Sequence, residues 1–337
     1  MNDQGFDDES QLPPPTVPEN LSLNLQGFAS REDAERLGHV LANTVRDISR
    51  YIDVSRLDGI SVAFDYNAAL AQLDRGYQSS RPLSRTSDDL NIGVAMTPAV
   101  LRAGVVKAHI VLCAPLVLPL EWPSDDHYEY AFYIVAHECG HVEDLKIRDV
   151  CFPRTILQRE ITNQEEAVLD WFAGGLWEEY SACRSSAVFG KTQMASYEKC
   201  FTNVLPSARE RANAAIRSYR THRSVDRVLE EAGSQLCAPL RYASYLLGDL
   251  DGRKASLDEA PRARDMLSGN PYEASINRLR DTLRSLWSRR GQWVSASEFE
   301  PLGAIVRDLL ADGGLILRPL PDGSLHVNIP YKPETMP

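Results

Sequence analysis

Apolar positions recur at helical spacing between residues 31 and 53, where Leu37, Val40, Leu41, Val45, Ile48 and Ile52 share one face. Ser30 stands at the N-cap position, with Asp33 three residues on. Residues 60–65 (ISVAFD) predict a strand and 67–74 a short helix; the polar, proline-broken stretch 75–89 predicts a loop. Two short β-branched runs, 91–96 (NIGVAM) and 108–113 (AHIVLC), predict further strands. From residue 127 the period becomes helical: 127–146, 162–182, then roughly 192–218, 224–247, 271–289 and 296–311. Breakers are expected at 248–252 (GDLDG) and at Gly269-Asn270-Pro271. The end, LILRPLPDGSLHVNI, predicts a hairpin turning at Asp322-Gly323, with Pro319 and Pro321 marking its first strand as an edge.

Length and composition narrow the function classes. A chain of 337 residues with 43% hydrophobic content can bury one large core or two modest ones. The balance of 47 acidic against 36 basic side chains counts against phosphate-backbone binding as the main activity. Basic clusters at Arg209–Arg220 and Arg278–Arg290 are interleaved with acidic and apolar residues and read as solvated helix faces. No run approaches the ~18–20 apolar residues of a membrane span. Residues 1–22 are acidic, then proline-rich, and are expected to form a disordered tail rather than an export signal. Six cysteines without a CxxC pair read as reduced thiols, so the cytoplasm is the expected compartment.

One stretch carries chemistry: His137-Glu138-Cys139-Gly140-His141, an HExxH motif on a predicted helix with apolar Phe132, Ile134, Val135 and Ala136 before it. Positions i and i+4 share a helix face, so His137 and His141 can aim imidazole nitrogens at one ion. Glu138 lies about 100° around the helix, beside the ion, where it can take a proton from an activated water. The third and sixth positions after His141 are Asp144 and Ile147, which exclude a metzincin extension.

A third ligand is then expected on a second helix. Glu166 and Asp170 stand at i and i+4: Glu166 as zinc ligand, Asp170 as acceptor for the non-ligating nitrogen of a ligand histidine, His137 by preference. Glu165 is the rival ligand, but its i+4 partner is Leu169. Glu143 and Asp144 read as solvated acids. Cys139 reads as a small packed residue, and His39, His109, His127 and His326 as structural or exposed. Tyr180, His222 and the tyrosines of 128–133 are candidate donors to a developing oxyanion.

HExxH followed by ExxxD resembles the gluzincin metallopeptidases, of which thermolysin is the familiar member. The pattern Glu166-x-x-x-Asp170-x-Phe172-Ala173 also resembles the ImmA/IrrE-type peptidases, cytoplasmic bacterial enzymes that cleave repressors and related regulators. Leu169 replaces their usual alanine, and Gly174-Gly175-Leu176-Trp177-Glu178 replaces their usual continuation. The resemblance covers about residues 55–182. It implies a zinc site and a protein or peptide substrate lying along a sheet edge, within 91–96 or 108–116 here.

The expected fold is α+β, mainly α. A zincin-like domain (23–185) with a small mixed sheet and an active-site helix precedes a helical region (186–337) that ends in a short β-hairpin. The expected function is zinc-dependent peptide hydrolysis with Glu138 as general base. The competing reading is a catalytically silent zinc-binding regulatory protein, against which the presence of Glu138 argues.

Overall fold

The computed structural model describes residues 12–79, 82–85 and 93–336. The chain divides into two compact units, Met1–Lys146 and Ile147–Pro337. The fold is mainly helical with a small mixed sheet and a C-terminal hairpin, as the patterning predicts.

The first unit is a sheet with helices. Its elements are β1 (Ser22–Gln26), α1 (Arg31–Ile48), β2 (Leu57–Ala63), α2 (Tyr66–Gln72), β3 (Ala95–Met96), β4 (Ala99–Arg102), β5 (Val105–Cys113), α3 (Ala114–Val117) and α4 (Tyr128–Cys151), the unit boundary falling within α4. Strands β1, β2 and β5 are parallel, and β3 and β4 run antiparallel along the other side of β5. Helix α1 starts at Ser30, whose hydroxyl accepts from the Asp33 amide, and buries Leu37, Leu41, Val45 and Ile48. Helix α2 packs on the face of the sheet that carries Ala63 and Val111.

Several expectations change here. The first half of the expected tail, 1–11, lies outside the described residues. The second half is tied down: Thr16 donates to the Ser49 carbonyl at 2.9 Å and accepts from the Val54 amide at 3.0 Å. Strands β1 and β4 are additions to the sequence reading; β4 turns into β5 at Ala103-Gly104, both at positive φ (49° and 79°). Strand β5 is paired on both sides and is therefore no edge; β3 and β4 hold the outer position among the described residues.

The second unit holds α5 (Gln164–Ser186), α6 (Gln193–Val204), α7 (Ala208–His222), α8 (Val225–Val228), α9 (Ser234–Gly252), α10 (Pro261–Leu267), α11 (Glu273–Ser288), α12 (Glu300–Asp312) and a hairpin of β6 (Ile316–Pro319) and β7 (Leu325–Asn328) turning at Gly323. Helix α5 falls in the second unit. A five-residue π-helical turn, Leu229–Gly233, joins α8 to α9. Leu176, Trp177 and Tyr180 of α5 bury with Leu240, Ala243, Leu246 and Leu247 of α9 in one core. The expected breaker at 248–252 is instead the last turn of α9. Gly248 and Gly252 face α5 there, where a Cβ would meet the Tyr180 and Arg184 carbonyls. The two basic clusters include the ion pairs Arg209–Asp312, Arg217–Glu210, Arg278–Asp308 and Arg284–Asp251.

Candidate metal centre

In the first unit α4 carries the motif. Ala131, Val135, Ala136, Cys139 and Val142 are fully buried, which fixes the helix's rotation and leaves His137 and His141 half-buried. Their Nε2 atoms face one another at 3.1 Å, with the rings nearly perpendicular. Two imidazole nitrogens at ~2.0–2.1 Å from one tetrahedral ion would stand roughly 3.3 Å apart. The pair therefore has the spacing of a two-histidine chelate, and the donor set suits zinc. The Tyr133 ring lies 6.1 Å from that of His137.

Glu138 is 6% exposed, and its Oε2 accepts a hydrogen bond from the Thr97 hydroxyl at 2.5 Å. Tyr66, at the start of α2, is 2% exposed, and its hydroxyl has no hydrogen-bond partner among the described residues. Burial first, and the charge of Glu138 second, push the Tyr66 pKa far above the usual phenol value. Burial, followed by the same charge, also raises the Cys139 pKa, so this thiol stays neutral and serves as packing.

The reading of Glu143 and Asp144 as solvated acids is corrected. Asp144 is 0% exposed, and Glu143 accepts from the Asp53 amide at 3.0 Å, while Lys146 pairs with the Asp53 carboxylate. The end of α4 in this unit is thereby pinned to the segment after α1.

His109 takes the structural one of its two expected roles: it is buried. Its Nε2 lies 2.9 Å from Ser61 Oγ and its Nδ1 3.3 Å from Asp58 Oδ2, with Arg102 bridging to Asp58 at 2.9 Å. Burial lowers its pKa more than the Asp58 carboxylate raises it. Ser61 is itself buried, so the relay satisfies polar groups inside the sheet. His39, His127 and His326 are exposed.

In the second unit α5 begins at Asn163, whose side chain accepts from the Glu165 and Glu166 amides. Glu166 and Asp170 do come together on one face, and both meet Arg159, at 2.6 and 3.4 Å. Burial, and then the neighbouring charge of Glu166, raise the Asp170 pKa, with Arg159 opposing. These residues line a cleft of ≈ 1210 Å³ whose walls include Arg148, Phe152, Arg278 and Phe299. Glu165 pairs with Arg307 at 2.9 Å and Glu178 with Arg148 at 2.7 Å.

Glu179 is half-buried and hydrogen-bonds the hydroxyl of Tyr245 on α9, a half-buried phenol whose pKa is pushed well above the usual value by burial and then by the Glu179 charge. Of the candidate oxyanion donors, Tyr180 is committed elsewhere: its hydroxyl donates to Asp251 at 2.7 Å and accepts from Arg184.

Comparison of the chain with protein-family models, with curated proteins and with solved structures finds no match in any of the three.

Proposed function

We propose that this protein is a zinc-dependent peptidase acting on a protein or peptide substrate. The observation that carries the reading is the His137–His141 pair at chelate spacing with Glu138 clamped beside it on the same helix. A silent structural site has no use for such a glutamate. For the remaining ligand the reading keeps Glu166, with Asp170 one turn on, as the i,i+4 spacing predicts.

When bound, zinc would supply Lewis acidity to the attacking water and the scissile carbonyl. His137 and His141 would hold the ion through their Nε2 atoms. Glu138 takes a proton from the attacking water and passes it to the leaving amine. Strand β3, with no further strand on its outer side among the described residues, offers main-chain groups to an extended substrate. A cytoplasmic setting belongs to the reading, as the spacing of the six cysteines leads one to expect. Among the described residues no helix is long and apolar enough to cross a membrane.

The test is Glu138→Gln, assayed on fluorescein-labelled casein with zinc content measured in parallel. Turnover is expected to vanish while zinc is retained. Wild-type turnover by the variant would contradict the mechanism.

A further inference from the structure

We propose that Thr97 is the positioning residue for Glu138: its hydroxyl holds one carboxylate oxygen so that the other faces the reaction. The inference rests on the peptidase reading above. A carboxylate on a helix turns about its last torsion through a broad two-fold well, so an unheld Glu138 would present either oxygen in many directions. Here Oε2 accepts from Thr97 Oγ1 at 2.5 Å, the short distance of a charge-assisted O–H···O⁻ bond. The same hydroxyl lies 3.5 Å from the Glu138 carbonyl oxygen, so it sits over the root of the side chain as well as its tip. With Oε2 fixed, Oε1 becomes the oxygen that accepts the proton.

The donor is itself held. Thr97 follows β3 directly, and the segment is bonded to β5 on both sides: the Cys113 amide donates to the Val94 carbonyl at 2.9 Å and the His109 amide to the Pro98 carbonyl at 3.0 Å. Pro98 restricts the Thr97 backbone to extended conformations, and β-branching restricts its χ1. The hydroxyl therefore meets Glu138 from a prepaid position. Its location also couples the base to substrate, because β3 is the outer strand on which an extended peptide would lie.

A purely structural role would show as lost stability alone, so the test uses Thr97→Val, which keeps the shape and deletes the hydroxyl, and Thr97→Ser, which keeps it. On fluorescein-labelled casein, Thr97→Val is expected to lose roughly 10- to 100-fold in kcat with KM within about twofold, and Thr97→Ser to recover most of it. Zinc content is expected to match wild type in both variants. A second readout needs no turnover. The visible absorption bands of the cobalt-substituted protein at fixed pH should change in Glu138→Gln and in Thr97→Val in the same sense, and stay unchanged in Thr97→Ser. Wild-type kcat and wild-type cobalt bands in Thr97→Val, with Glu138→Gln inactive and altered, would overturn the role of Thr97 and leave the peptidase reading standing. A wild-type protein that holds neither zinc nor cobalt would overturn both.

Discussion

Two glycines in helices that pack on each other should respond in opposite directions to the same change. Gly248 lies in α9 where it crosses α5. A Cβ there would sit 2.5 Å from the Tyr180 carbonyl oxygen, 2.9 Å from Cys183 Cβ and 3.1 Å from Tyr180 Cα. Favourable contacts between carbons begin near 3.5 Å, so Gly248→Ala forces the two helices apart by about 1 Å at a point where backbone atoms cannot rotate away. Overpacking of this kind costs about 1–3 kcal/mol. The upper end applies because two of the three close atoms are main chain. Alanine returns about 1 kcal/mol through helix propensity, leaving a net loss of about 1–2 kcal/mol. For a unit of this size that is a fall in Tm of about 2–8 °C. Gly174, inside α5, is the control: a Cβ there meets nothing within 4 Å. Gly174→Ala should therefore gain up to about 1 kcal/mol and raise Tm by a few degrees. Circular dichroism at 222 nm, followed through heating and through urea, measures both. If Gly248→Ala is stabilised as much as Gly174→Ala, the close approach of α5 and α9 is wrong, and with it the seat of the Glu179–Tyr245 bond.

His109 gives a pH prediction. Its folded pKa lies below the ordinary value near 6.5, so the unfolded chain takes up a proton first as pH falls. Stability should decline from about pH 6.5 downward until the folded pKa is passed, and His109→Gln should flatten that slope in urea titrations at stepped pH; an unaltered slope would remove His109 as its source. Tyr66→Phe deletes a buried hydroxyl that has no partner among the described residues, and should leave Tm unchanged or slightly higher; a fall of several degrees would show that the hydroxyl is bonded in the folded chain.

Much of the fold was legible because its signals are local. Helix α1 announces itself through a capped, one-sided apolar stripe, and the final hairpin through Asp322-Gly323. The HExxH pair was legible for the same reason: i,i+4 spacing alone brings His137 and His141 onto one face. What escaped depends on distant partners. Strand β1 is five residues of weak alternation (SLNLQ) that become a strand because β2 lies beside them. Gly248 and Gly252 read as punctuation, since nothing local says that α5 needs their missing side chains. Asp144 read as solvated because its burial comes from packing, which its helical position does not reveal. The Glu179–Tyr245 bond escaped for the same reason: its hydroxyl comes from a helix 66 residues on, which no local spacing reveals.

The most direct test of the metal centre is the zinc content of purified protein, measured by inductively coupled plasma mass spectrometry after dialysis, for wild type, His141→Ala and Glu166→Ala. About one zinc per chain is expected in wild type, with loss in His141→Ala and in Glu166→Ala. Equal zinc in wild type and Glu166→Ala would overturn the ligand assignment on α5, and zinc absent from wild type would contradict the metal centre altogether.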